Sequence, residues 1–157
     1  MKVQVTQENL NRALGAVARV ANTRNALPIL ANVLVKTVDN RLCLSATNLD
    51  IAISYFTGAK VETEGSITVP ARLMQDFVGS LPGGVINLKL EENKLHVNTD
   101  QYKSTINGIA ADDFPTLPAI EDGKTWTLPA ADFKKALQQV LFAASSDESR
   151  PVLTGVY

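Results

Sequence analysis

The chain has 157 residues, 45% of them hydrophobic and 20% charged, which suits one domain with a sizeable core and a little more. No apolar run approaches the roughly 20 residues that span a bilayer, the opening MKVQVTQENLNR has no signal core, and Cys43, the single cysteine, excludes an internal disulfide, so a cytoplasmic location with no membrane contact is expected. A net charge of -1 argues against a protein that grips phosphates by bulk charge, so any nucleic-acid role must come from how the charges are distributed.

From the N-terminus, residues 2–6 read as a strand and 7–20 as a helix, with Leu10, Ala13, Leu14 and Val17 spaced along one apolar face. A long loop over 22–31 leads to three strands at 32–38, 41–46 and 51–57. In the second of these, Leu42, Leu44 and Ala46 alternate with Arg41, Cys43 and Ser45, which predicts one buried face and one half-exposed face carrying the cysteine. A strand at 66–70 and a helix at 71–80 follow, the helix burying Met74, Phe77, Val78 and, just beyond it, Leu81. Strands at 86–91, 94–99 and 102–108 complete the series. Asp39-Asn40 and Glu92-Asn93 suit tight hairpin turns, because Asn and Asp tolerate left-handed backbone angles.

Each half is thus β-α-β-β-β, and the two halves share short stretches. Val3-Gln4-Val5 resembles Ile67-Thr68-Val69, and Asp39-Asn40-Arg41-Leu42 resembles Glu92-Asn93-Lys94-Leu95. The predicted fold class is α+β, with two helices packed on antiparallel sheet. Residues 109–124 are acidic, carry two prolines, and read as a linker leaving this domain.

A larger repeat lies beyond the linker. Shifted by 123 positions, residues 5–34 lie on 128–157 without a gap, and Ala13 meets Ala136, Leu14 meets Leu137, Val17 meets Val140, Pro28 meets Pro151 and Leu30 meets Leu153. The expected domains are therefore 1–124 and 125–157, the second being the start of another copy, from a strand at 126–128 through a helix to a strand entry at Pro151. One helix and one strand cannot bury a core alone, so the natural protein is expected to be longer.

No catalytic constellation is apparent. His96 alternates with Leu95 and Val97 and reads as a surface histidine; Cys43 has no histidine near it in sequence. There is no phosphate loop with a following Lys-Ser/Thr and no metal-spaced Cys/His set, and the acid pairs Asp112-Asp113 and Glu91-Glu92 fall in a linker and a hairpin. No cofactor or metal is expected, and a binding or scaffolding role is favoured. The three predicted helices together carry two net positive charges. If repeated units place every helix on one side, a weakly basic track would follow a phosphate backbone without reading bases.

Five blocks carry a family resemblance. Arg24-Asn25-Ala26-Leu27-Pro28-Ile29-Leu30-Ala31-Asn32, Ala46-Thr47-Asn48-Leu49-Asp50-Ile51, Val69-Pro70-Ala71-Arg72 with Gly79-Ser80-Leu81-Pro82, Ala111-Asp112-Asp113-Phe114-Pro115, and Glu148-Ser149-Arg150-Pro151-Val152-Leu153-Thr154-Gly155-Val156 with Phe142-Ala143-Ala144-Ser145 before it resemble, in order, the bacterial DNA polymerase III beta subunits, the sliding clamps. The resemblance implies a DNA clamp fold and a ring-shaped homodimer of three-domain subunits. Helices would line the hole around duplex DNA, held without sequence preference, with DNA polymerase III and clamp-loader subunits as partners and no catalysis. It marks Arg24 and Arg72 as DNA contacts. Asp147, Pro151 and Val152 fall where the family has further DNA contacts, although some members carry Gln and Tyr there. Leu153 matches one wall of a partner-peptide pocket, and Lys103 and Ile106 match the subunit interface. Two local alternatives stand beside this: Arg24 as a loop anchor bonded to backbone carbonyls, and Arg72 paired with Asp76 one turn on. Two functional alternatives are a non-DNA scaffold of repeated α+β units and the non-catalytic part of a longer enzyme.

Overall fold

Alternation at Val3 and Val5 makes Lys2–Thr6 a strand (β1), and the Thr6 side chain caps the helix that follows by accepting from the Asn9 amide at 3.3 Å. That helix, α1 (Gln7–Val17), ends three residues earlier than its apolar spacing predicts; Val20 N–H donates to the Val17 carbonyl in a tighter turn, and Val20 is still buried. In this computed structural model, residues 1–21, 27–116, 123–147 and 149–157 are described. The chain divides into two units, Met1–Pro118 and Ala119–Tyr157.

In the first unit, a 3-10 turn at Pro28–Ala31 leads into β2 (Asn32–Val38), β3 (Arg41–Thr47) and β4 (Ala52–Gly58), then a short strand β5 (Lys60–Thr63) and β6 (Ser66–Pro70). The second helix α2 (Ala71–Ser80) precedes β7 (Val85–Glu91), β8 (Lys94–Asn98) and β9 (Lys103–Asn107). The strand β5 was not expected, because Lys60-Val61-Glu62-Thr63 has only one apolar residue to signal it. Its registry comes from pairing with β1.

The strands form two antiparallel sheets, ordered β5-β1-β7-β8-β9 and β4-β3-β2-β6. The halves therefore exchange their first strands: β1 joins the sheet of the second half, and β6 joins the sheet of the first. Apart from β5, each sheet has the order first strand, then the three strands of the other half, so the unit has an internal two-fold pattern. The β2–β3 hairpin turns through Asp39 (φ +48) and Asn40 (φ +56), as its sequence predicts, and Glu92 (φ +52) opens the β7–β8 turn.

The core draws on both helices and both sheets: Leu10, Leu14, Val17, Met74 and Val78 from the helices, Val33, Val35, Leu42 and Leu44 from one sheet, Ile86, Leu88, Leu95 and Val97 from the other. Leu81 is buried as predicted, whereas Phe77 is only half-buried against the core edge. The Gln7 side chain donates to the Val78 carbonyl at 2.9 Å, tying the start of α1 to the end of α2, so the helices run antiparallel.

Two expectations are corrected by the packing. Cys43 is buried, 6% exposed, because β3 is covered on both faces. The cover on its outer face is the stretch read as a departing linker. Ile109 bridges to Thr68 on β6, and Phe114, 7% exposed, lines a cavity of about 320 Å³ with Leu34, Lys36, Val38, Cys43 and Ser45. The strap joins β6 so closely that a Cβ on Gly108 would sit 2.5 Å from the Thr68 carbonyl oxygen. The predicted linker thus begins as part of the first unit and is fastened by its one aromatic residue.

In the second unit α3 spans Ala130–Val140, the span of α1 displaced at both ends by the 123-residue repeat offset. The 3-10 turn at Pro151–Leu153 likewise falls on Pro28–Ala31. The expected strand at 126–128 is not formed: β1 is a strand because β5 and β7 flank it, and no such partners accompany 126–128 among the described residues. None of the described residues of this unit is buried; Trp126 is 84% and Phe142 86% exposed.

Candidate nucleic-acid interface

The helix surface is where the sequence points, and the structure sorts its cations by what they are bound to. Arg12 is neutralised on its own helix, donating to Glu8 at 2.6 Å across one turn. Arg72 makes no ion pair with Asp76 among the described residues, so the local alternative for it is not realised. Arg19 is likewise exposed and without an ion-pair partner among the described residues.

The antiparallel helix pair brings these two arginines together. The turn after α1 and the start of α2 form the sides of a cleft of about 250 Å³, lined by Ala18, Arg19, Ala21, Ala31, Ala71, Arg72 and Gln75. Four of these seven lining residues are alanine, which leaves Arg19, Arg72 and Gln75 as its polar residues. Neither Arg19 nor Gln75 is singled out by the sequence, where Arg19 enters only through the net charge of the predicted helices. The signal for Gln75 is its spacing three residues after Arg72, on the same helix face; the signal for Arg19 is tertiary and needs the helix pairing.

The other candidate residues are dispersed. Arg24 lies outside the described residues. Lys103 and Ile106 lie on β9, which pairs only with β8 and so forms a sheet edge among the described strands. Lys103 is exposed, but Ile106 is 3% exposed and packs in the core, so it can present only its backbone to a neighbour. Its side chain turns inward because β9 alternates and Ile106 is its one apolar residue.

Asp147, Pro151, Val152 and Leu153 all lie in one turn region of the second unit. The Asp147 carboxylate accepts from the Ser149 amide at 2.9 Å, and this bond holds its pKa below the usual carboxylate range. It is an anion at neutral pH and would repel a phosphate rather than hold one. Val152 is 85% and Leu153 50% exposed. The Ser145 amide donates to the Leu153 carbonyl at 2.9 Å, which closes the turn.

A second charged group lies on the outer face of the β7–β8–β9 sheet. Lys89 bonds Glu91 at 2.5 Å, His96 Nε2 lies 3.3 Å from the other Glu91 oxygen, and His96 Nδ1 is 2.9 Å from the Thr105 hydroxyl. Lys89, first by its hydrogen bond and then by its charge, holds the Glu91 pKa below the ordinary range, with a smaller contribution from His96. Among the described residues no group of three His, Cys, Asp or Glu is arranged to hold a metal ion, and no helix is long and apolar enough to cross a membrane.

A family profile described as DNA polymerase III beta subunit, N-terminal domain, matches residues 1–118. The beta sliding clamp of a Synechocystis species is 39% identical over an aligned 166 residues, covering 100% of this chain and 42% of that protein. The beta sliding clamp of Bacillus subtilis is 28% identical, covering 99% of the chain and 44% of the relative. Among solved structures, Caulobacter crescentus pol III beta superimposes with a TM-score of 0.90 at 30% identity, covering 100% of this chain and 43% of that one. The chain thus spans less than half the length of the relatives it matches.

Proposed function

Because the chain belongs to the DNA polymerase III beta subunit family, matching its N-terminal domain over residues 1–118, we propose that the whole protein is a DNA polymerase processivity factor: a non-catalytic sliding clamp that encircles duplex DNA and tethers the polymerase. The observation that carries this is the agreement along the entire chain with clamps of known structure, at a TM-score of 0.90. Residues 1–124 are read as the first clamp domain with its exit segment, and 125–157 as the beginning of the second. A homodimeric ring, the replicative polymerase and clamp-loader subunits are the proposed partners, and the cytoplasm the proposed compartment.

The chemistry supports a loose grip. Arg24 and Arg72 are proposed as phosphate contacts that position without specifying. Lys103 and the β9 edge backbone are proposed as the subunit interface, since an unpaired edge offers donors and acceptors to another strand. Leu153 is proposed as one wall of a partner-peptide pocket. Asp147, Pro151 and Val152 are the weaker candidates for DNA contact, Asp147 for the charge just described. The relatives named above are clamps, which leaves the scaffold and longer-enzyme alternatives without an observation in their favour.

The test is a low-salt titration of this chain with two fluorescent duplexes of unrelated sequence. Two phosphate contacts give a log-log salt slope of only about -2, so binding should be weak, equal for both duplexes and lost at physiological salt. Arg24→Ala and Arg72→Ala should each weaken it equally for both sequences. Tight binding that survives salt, or a preference for one duplex, would rule the mechanism out.

A further inference from the structure

We propose that Arg19 and Arg72 hold one and the same phosphate group of the DNA backbone in the alanine-walled cleft between the helices, with Gln75 as a third donor. This rests on the clamp reading for its ligand, but its geometry stands independently. Arg19 comes from the turn that follows α1 and Arg72 from the start of α2, and the two line one concavity of about 250 Å³. Neither arginine has an ion-pair partner among the described residues, whereas Arg12, on α1 itself, is already occupied by Glu8.

The chemical class of ligand follows from the lining. A guanidinium presents N–H donors in a planar fork that matches phosphate oxygens, and such charge-assisted bonds are the strong ones. Among the described residues the cleft has no carboxylate and no aromatic wall, so these offer nothing to a cation or to a stacked base. Its alanines deny a long side chain the contact area it would need but leave room for a compact tetrahedral anion. The net charge of the chain, -1, makes such a local pair of cations stand out in effect, because nearby solvent-exposed charges act over only about a Debye length, roughly 8 Å at physiological ionic strength.

Sharing has a consequence that a general basic surface does not. The salt slope counts phosphates neutralised, at about 0.9 per phosphate, not arginines present. Removing both arginines should therefore reduce the slope by about 1. Two separate contacts would reduce it by about 2. The single variants Arg19→Ala and Arg72→Ala should each weaken duplex binding roughly five- to tenfold, and their effects should be non-additive in the double variant, as expected of residues with one shared partner. Arg19→Lys, which keeps the charge and loses the fork, should fall between wild type and Arg19→Ala. Lys36→Ala, the same charge change on the opposite face of the β2 sheet, should leave binding unchanged.

The experiment measures duplex affinity against salt for the 157-residue chain and these variants, alongside a titration with inorganic phosphate followed by the Nε–H resonances of Arg19 and Arg72. Joint movement of both resonances with one affinity, lost in Arg19→Ala, together with a slope change near 1, upholds the shared seat. If Arg72→Ala weakens duplex binding while Arg19→Ala does not, the clamp reading stands and the seat falls. A slope change near 2 in the double variant also overturns it. If the wild-type chain fails to bind duplex at all, the phosphate contacts proposed for the clamp lose their support, and the phosphate titration alone decides the seat: no movement of the two resonances overturns it.

Discussion

The loop between β3 and β4 holds a leucine where glycine would be at ease. Leu49 has φ +80, and it is kept there by a cage of polar bonds: its amide donates to the Thr47 hydroxyl at 3.0 Å, and the Ile51 amide to the Asn48 side chain at 2.9 Å. A left-handed backbone costs a non-glycine residue about 1–2 kcal/mol. Leu49 is 61% exposed, so little packing is at stake. Leu49→Val should destabilise by about a further 1–2 kcal/mol, since β-branched residues tolerate this region worst, while Leu49→Gly should be close to neutral, its relieved strain offset by greater freedom in the unfolded chain. Urea denaturation of both variants tests this. Glu91 offers a second test at the same scale. Its pKa is lowered in the folded state, so the stabilisation from Lys89 is present above the unfolded pKa and is lost as pH falls through the folded one. Lys89→Ala should raise the Glu91 titration midpoint toward the ordinary carboxylate range, read by carboxyl carbon shifts; an unchanged midpoint would contradict the assignment. Of these residues, the surface setting of His96 was legible from alternation alone. Leu49 was not, because nothing in a leucine announces positive φ.

At the scale of elements, periodicity located both helices of the first unit and every strand but β5, and it failed where contact with another segment decides the outcome. Leu10, Ala13, Leu14 and Val17 form the buried face of α1 as their spacing requires, and Leu14→Ala should cost about 2–5 kcal/mol in equilibrium denaturation. Cys43 shows the opposite case. Its strand alternates like any half-exposed one, but the strap through Phe114 covers the outer face, and no local pattern records that a proline-bearing, acidic stretch will fold back. Phe114→Ala should lower stability by about 3–5 kcal/mol and speed the reaction of Cys43 with a thiol reagent under native conditions. A destabilised variant whose cysteine reacts no faster than wild type would show that the strap does not guard it. The candidate interface divides in the same way: Arg72 was legible from its motif, whereas Arg19 joins it only through the antiparallel pairing of the helices.

For the molecule as a whole, the two units differ in what holds them. The first has a core shared by two sheets and two helices, and the second has no buried residue among those described. Amide exchange over 123–157 should therefore be much faster than over the strands of 1–107; equal protection in dilute solution would contradict this difference. The repeat offset foresaw that α3 would duplicate α1, residue for residue. It could not foresee the exchange of first strands between halves, since both arrangements share one sequence pattern. That exchange bears on how the chain emerges during synthesis. β1 is made first, yet its partners are β5 at residues 60–63 and β7 at 85–91. The first half cannot complete its own sheet either, because β2 waits for β6 at 66–70. A growing chain thus carries an incompletely paired N-terminal strand until β7, at residues 85–91, has left the ribosome, and such long-range closures are slow. Folding should begin in the β2–β3–β4 meander, whose partners are sequence neighbours, and the strand translated first should be among the last to dock.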